Sequence, residues 1–474
     1  MQHYLLPLQK SSLILLLALV AWNCQQGNQK TAVSENITTS LVHPTLTYQK
    51  YEPKPTDHII NRAAYQDQLY GFWLGQCIAN WTGLITEMDK IGGAGINGKG
   101  AGFYTRENWE QPDQLNIWGF SDISDTITYF SDPPKGIWGA DDDTDIEYMY
   151  QHLLYKNQTT QLTGEQIREG WLKHIYNDTT TPFKTRDGQS PENYLWVSNQ
   201  MAYDLMEKGM IPPATSAPEN NPHYEMIDAQ LTTEIFGLFA PTRPDIAVEM
   251  ANLPIRTTAR QNAAWIAEFY VRMHALAAQV DKKAPMKAIV FDLATKARQH
   301  LPNDSYSAKM YDFVKTQYGQ GATWEMARDA LHERYQVQQA DGYQWATKDQ
   351  SCHGCFAAGI NFGAGMISLF YGEGDIKETI KIGALAGWDS DNPTATWGGL
   401  LGFILGKKGI EKAFGRTFAQ QFNIHRTRGA FPNNGLDNFE DMAEKGVLII
   451  DRVVQERLGG GVDLEKGVWY VPRG

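Results

Sequence analysis

The chain has 474 residues, with 42 Lys and Arg against 54 Asp and Glu, a net charge of −12 and no basic run. That balance disfavours non-specific nucleic-acid binding, which depends on clustered cations neutralising phosphates. With 42% hydrophobic residues and no obvious composition break beyond the N-terminal stretch, the length supports one large core.

In chain order, Lys10 precedes an apolar run from Leu13 to Ala21, followed by Trp22-Asn23-Cys24. The run is too short to span a bilayer and has the length of a signal-peptide core, so residues 1–23 read as a signal peptide. A Cys directly after such a run resembles a bacterial lipoprotein signal, with Cys24 as the acylated first mature residue. An ordinary exported protein with a stray Cys is the alternative. Residues 24–57, rich in Gln, Asn, Thr, Ser and Pro, read as a lipidated tether. The expected location is therefore outside the cytoplasm, anchored to a bacterial membrane at the periplasmic or cell surface, with the outer membrane favoured.

Residues 58–458 read as one all-α domain, because helical spacing dominates and strand-like alternation is scarce. The first helix, 62–86, carries Gly71, Gly75 and Ala79 at four-residue spacing, which lets another backbone approach closely, and Glu87 stands at its end. The Gly-rich stretch 92–102 matches neither a P-loop nor a dinucleotide fingerprint. It reads equally well as a loop over a ligand or a surface loop. A helix with Ile146, Met149, Leu153 and Leu154 on one face follows. Further helices are predicted over 163–176, 192–208, 224–238, 245–252, 258–280, 285–299, 307–317, 323–332, 355–371, 375–386, 393–405, 409–421 and 439–457. Residues 459–474 read as a loop and tail with one short strand at Val468–Val471. Within 224–238, Gln230 and Glu234 share a face beside Asp228 and Thr232. These residues, like Asn199, Glu268 and His353, are singletons whose commoner fate is solvent. Cys352-His353-Gly354-Cys355 lacks the His that haem attachment needs and the second ligand pair of a zinc site. A local disulfide or two buried thiols is the default.

Two acidic clusters carry the most chemical information: Ala140-Asp141-Asp142-Asp143-Thr144-Asp145 and Gly387-Trp388-Asp389-Ser390-Asp391-Asn392-Pro393-Thr394. Each precedes an apolar helical segment, and Asn392 with Pro393 reads as an N-cap and first helical position. One or two acids at a helix start are explained by capping and the helix dipole; four within five residues exceed that need. Dense carboxylates repel unless a cation neutralises them, and hard oxygen ligands suit Mg²⁺, Ca²⁺ or Mn²⁺. Neither cluster has the Gly and Glu positions of an EF-hand, so a site shared between the two loops is the better reading.

The paired clusters, together with Gly71-Phe72-Trp73-Leu74-Gly75-Gln76-Cys77-Ile78-Ala79 and Glu87, resemble the ADP-ribosylglycohydrolase family over roughly residues 60–455. The resemblance implies a single orthogonal all-α bundle with a divalent-metal centre, most commonly Mg²⁺, of one or two ions. It also implies hydrolysis of glycosidic bonds. The family's early Asp-Asp-Thr motif overlays on Asp142, Asp143 and Thr144, and its late Asp-x-Asp-Thr motif on Asp389 to Asn392. Asp141 stands where the family usually has Thr or Ser, and Asn392-Pro393 replaces a Thr, with Thr394 two residues on. The expected metal residues are Asp141, Asp142, Asp143, Asp389, Asp391 and Thr394; Glu87 and Asp145 are the expected catalytic carboxyls. The expected activity is hydrolysis of a glycosidic bond in a small-molecule or oligosaccharide substrate, such as a glycan fragment, in polysaccharide breakdown. Two other readings are a non-catalytic lipoprotein that captures sugars or nucleotide sugars, and a purely structural cation.

Overall fold

The computed structural model describes residues 41–93, 100–113, 125–139, 141–185, 188–344, 352 and 354–473. The expected signal peptide, Cys24, the first part of the tether, most of the Gly-rich loop and His353 lie outside the described residues. The fold is all-α, with short strands at its margins. The helices are α1 (Arg62–Gly83), α2 (Asp142–Asn157), α3 (Gly164–His174), α4 (Val197–Glu207), α5 (Asp228–Leu231), α6 (Ile235–Phe239), α7 (Pro244–Thr258), α8 (Gln261–Ala277), α9 (Met286–Arg298), α10 (Tyr306–Gly319), α11 (Trp324–Leu331), α12 (Ala358–Gly372), α13 (Ile376–Ala386), α14 (Asp391–Phe414) and α15 (Phe439–Glu456). None of them is long and apolar enough to cross a membrane.

The centre of the fold is a backbone-to-backbone contact between α1 and α14. A Cβ placed on Gly71 or Gly75 would lie 2.2 Å from the carbonyl oxygen of Gly402 or Gly398, and one on Gly83 would lie 2.3 Å from the Cα of Asp391. Rising numbers on α1 therefore meet falling numbers on α14, so the helices are antiparallel. The approach expected from Gly71 and Gly75 is met by glycines at the same four-residue spacing on the partner. It sets the last turn of α1 against the first residue of α14, where the second acidic cluster begins.

Two departures from the predicted helices have local causes. The stretch 224–238 divides into α5 and α6, where Thr232 and Thr233 hydroxyls donate back to the carbonyls of Asp228 (2.9 Å) and Ala229 (2.7 Å), a pattern that bends helices. The helices predicted at 393–405 and 409–421 form one element, α14, which kinks at Gly406 (φ 69°) and ends at Phe414. Asp67 sits where a side chain at Gly406 would be.

Both chain margins of the domain are packed. Strands β1 (His58–Asn61), β5 (Gly461–Asp463) and β6 (Val468–Val471) form an antiparallel sheet in the order β1-β6-β5. The segment expected to trail as a tail thus closes on the first strand of the domain. Asp451 on α15 binds this region together. It accepts from Arg62 Nε (3.0 Å) and Nη2 (2.7 Å), Trp469 Nε1 (2.7 Å) and Tyr48 OH (2.6 Å). Removing Arg62 would leave a fully buried carboxylate without its counter-charge. Residues 41–57, expected as the end of the tether, are therefore fastened to α15. A second sheet, from β2 (Ile137–Trp138), β3 (Gln421–Asn423) and β4 (Leu436–Asn438), ends just before the first acidic cluster, with Trp138 fully buried.

Gly75→Ala forces a methyl into a backbone carbonyl that neither helix can vacate. It is expected to lower the unfolding free energy by about 1–3 kcal/mol in urea melts. A wild-type midpoint contradicts the close α1–α14 contact.

Candidate metal centre

Local structure explains how the two clusters meet. Asp141 caps α2, its carboxylate accepting the Asp143 N–H at 3.2 Å. The three acids of the first turn lie at the positive end of the helix dipole. On the other side, Gly387 (φ 97°) and Trp388 (φ 59°) turn the chain sharply before Asp389. A bulky residue at positive φ costs on the order of 1–3 kcal/mol and persists only when its surroundings hold it. Here Trp388 N–H donates to the Lys90 carbonyl (3.1 Å), Met88 N–H donates to the Trp388 carbonyl (2.8 Å), and Trp388 Nε1 donates to Gln336 Oε1 (2.7 Å). This pairing lays the segment after Glu87 against the segment before Asp389. Ser390 Oγ donates to the Gly83 carbonyl at 3.0 Å and secures the turn to the end of α1.

The start of α14 differs from the predicted Asn392 cap. Ser390 is the N-cap and the helix begins at Asp391, so Pro393 takes its third position. Asn392 is engaged elsewhere: it accepts from Gln230 Nε2 (3.0 Å) and donates to Asp143 Oδ1 (3.1 Å), joining the two clusters.

Two carboxylate groups result. Glu87, Asp389 and Asp391 offer oxygens within 4.8 Å of one another, and so do Asp141, Asp143 and Asp391. Asp391 belongs to both. The Asn80 side-chain amide, from the last turn of α1, lies 2.9 Å from Asp143 Oδ2, 3.0 Å from Asp141 Oδ1 and 3.2 Å from Asp391 Oδ2. Burial, then the charges of neighbouring carboxylates, pushes the carboxyls of Glu87, Asp143, Asp389 and Asp391 well above the usual range. After burial, the charge of Asp391 is the largest cause that raises Asp143, and two carboxylates this close do not both stay ionised unless a cation neutralises them.

Of the other expected residues, Asp142 is half-buried and outside both groups, raised by burial and by the charges of Asp141, Asp145 and Asp228. Thr394 is buried in the first turn of α14 with its hydroxyl donating to the Ser390 carbonyl. Asp145 is also outside both groups. It is fully buried against Arg428, whose Nε lies 2.8 Å from Oδ2. Burial pushes its carboxyl up to about 7, with the guanidinium opposing the rise. Arg428 also donates to the carbonyls of Asn193 (2.7 Å) and Tyr194 (3.1 Å), so Asp145 fastens two loops to α2.

Sequence reasoning missed Asn80, Arg428 and Glu147. Gln76 and Asn80, polar and four residues apart in an apolar helix, were the available signal. Gln76 Nε2 donates to Glu147 (2.7 Å), which is buried beside Glu234; burial pushes both carboxyls up, Glu234 to about 7. Asp228, Gln230, Glu234 and Asn199, for which solvent was the expected fate, are all buried.

The donor set suits a hard divalent cation: every offered ligand atom is a carboxylate oxygen, and the buried Asp391 Oδ1 and Asn80 Oδ1 have no hydrogen-bond partner within the protein. The fold is thus an all-α domain in which two acidic loops converge on one oxygen-rich centre. The chain belongs to the ADP-ribosylglycohydrolase family, whose family model matches residues 61–443. Among solved structures, it is similar to an ADP-ribosylglycohydrolase-related protein complex at 14% identity and TM-score 0.43, covering 82% of this chain and 98% of that one. No curated protein matches.

Asp391→Asn removes the charge common to both groups. In EDTA the variant is expected to melt above wild type, because one buried like charge is gone. In wild type, a divalent ion at a hundredfold excess over its Kd adds about 2.7 kcal/mol; in the variant most of that gain disappears. Retention of the full metal-induced shift in a thermal melt contradicts the shared role of Asp391.

Proposed function

We propose that the chain is a divalent-metal-dependent glycosidase that hydrolyses a glycosidic bond next to the Asp391-centred carboxylates. The observation that carries this reading is the convergence of Glu87, Asp389 and Asp391 with Asp141 and Asp143 through one shared residue. Asp141, Asp143, Asp389 and Asp391 would hold the cation or cations, with Mg²⁺ the expected ion, and Asp142 and Thr394 flank them. When bound, the metal supplies Lewis-acid polarisation of oxygen ligands and lowers the pKa of bound water.

The protein's own groups account for the rest. Glu87 is half-buried at the edge of the cluster, with a carboxyl raised by burial and by Asp141, Asp142, Asp143 and Asp89. A carboxyl raised in this way holds its proton more readily than a free glutamate, and it stands within reach of Asp389 and Asp391, so Glu87 is assigned as the general acid/base. The surrounding negative charge stabilises the oxocarbenium-like state formed as the anomeric bond breaks. Asp145, ion-paired to Arg428, orients α2 and stands outside both carboxylate groups. The substrate is a sugar with vicinal hydroxyls, in the form of a glycan fragment or glycoside, met outside the cytoplasm by a protein anchored through acylated Cys24. Recovery of a Cys24→Ala variant in the membrane fraction, like wild type, would count against the anchor.

A panel of glycosides and ADP-ribosyl compounds, assayed with Mg²⁺ or Mn²⁺ and again in EDTA, tests the activity. Turnover is expected only with metal, and Glu87→Gln is expected to slow it by roughly 10²–10⁴-fold while ligand binding persists. Undiminished turnover in EDTA overturns the metal's role, and undiminished turnover by Glu87→Gln overturns that of Glu87. Tight binding without product by wild type supports a capture protein instead.

A further inference from the structure

We propose that the Cys352–Cys355 disulfide and Asn361 form a positioning relay that holds Asp389 in the metal centre. The proposal rests on the reading of Asp389 as a metal ligand. Cys352 and Cys355 are disulfide-bonded and buried, at 2% and 0% exposure. Asn361, in the first turn of α12, is fully buried and uses both ends of its amide. Its Nδ2 donates to the Cys355 carbonyl at 2.7 Å and to the Ala357 carbonyl at 3.1 Å. Its Oδ1 accepts the backbone N–H of Asp389 at 3.3 Å. The covalent turn is thus one side chain away from the backbone of a metal-site carboxylate.

The turn is also bonded to the segment that leads into α5. Ile227 N–H donates to the Phe356 carbonyl at 3.0 Å, and Ala358 N–H donates to the Glu225 carbonyl at 3.1 Å. The next residue, Asp228, accepts from Ser198 Oγ (2.5 Å) and Asn199 N–H (3.0 Å), and its charge acts on Asp142. The disulfide segment is therefore bonded on one side, through Asn361, to the Asp389 loop and on the other to the segment that leads into Asp228.

The relay answers a specific need. Asp389 follows a tryptophan at φ 59°, a backbone state that relaxes unless its neighbours oppose it. Lys90, Met88 and Gln336 restrain Trp388; Asn361 restrains Asp389 itself. A disulfide spanning three residues adds less to chain-entropy stabilisation than a long-range one. What it supplies here is a fixed Cys355 carbonyl, hence a fixed Asn361 amide. Loss of a hydrogen-bond partner that orients a metal ligand typically costs roughly 10–100-fold in metal affinity.

Two variants test the relay by independent routes: Asn361→Ala, and Cys352→Ser combined with Cys355→Ser, which keeps Asn361 and the apolar contacts of α12. Mn²⁺ affinity measured by titration calorimetry is expected to fall roughly 10–100-fold in each. In the metal-free proteins, amide hydrogen exchange over residues 387–391 is expected to accelerate while the sheet at residues 461–471 keeps wild-type protection. Should Asn361→Ala fail to fold, the double cysteine variant carries the same two readouts. Wild-type Mn²⁺ affinity in the variants, unchanged exchange over 387–391, or acceleration spread equally to 461–471 each overturns the relay. If wild type itself binds no Mn²⁺, the metal reading fails, and the exchange pattern alone decides whether Asn361 holds the Asp389 loop.

Discussion

Buried like charge is the constraint on which the rest of the structure depends. Five carboxylates from three stretches of chain crowd together, with Asp391 common to two groups; Asp143, Asp389 and Asp391 are buried, and Glu87 and Asp141 are half-buried. Without a counter-charge such a set holds protons it would not hold in water. A divalent cation relieves the repulsion, and because metal competes with those protons, its affinity rises with pH. Among the described residues, no cationic side chain is ion-paired with either carboxylate group; the buried guanidinium of Arg428 is ion-paired with Asp145.

Holding repelling groups together requires a stiff frame, and the surroundings provide one. The glycine contact of α1 with α14 leaves no slack between Asn80 and Asp391, since Gly83 already touches the Asp391 backbone. The reciprocal pairing of Met88 and Lys90 with Trp388 brings Glu87 to Asp389. Amides do the fine work: Asn80, Asn392 and Asn361 carry no charge of their own, and each bonds to the side chain or backbone of a cluster aspartate. Amides donate to carboxylates without neutralising them, which leaves the charge available to an ion.

Much of this was legible in the sequence. Helical periodicity located most elements, and the spacing of Gly71, Gly75 and Ala79 announced a close helix contact. The density of aspartates at two helix starts marked the centre. What stayed hidden was set by tertiary partners. Asn392 looked like an N-cap because nothing local shows that Gln230 and Asp143 engage it instead. Asp145 sits in the same run as Asp143, yet two positions further along the helix it pairs with Arg428, some 280 residues away in sequence and without a motif to flag it. The strands at both margins were lost for a similar reason. His58–Asn61 and Gly461–Asp463 are too short to show a period of two, and they exist because Val468–Val471 pairs with both.

Diffraction from crystals soaked in Mn²⁺, recorded to locate anomalous scatterers, tests the central claim most directly. The expected result is a peak enclosed by Asp141, Asp143 and Asp391, or by Glu87, Asp389 and Asp391, or one in each. Crystals that show manganese only at surface carboxylates, with no peak beside Asp391, would contradict the claim that these buried charges exist to grip a metal.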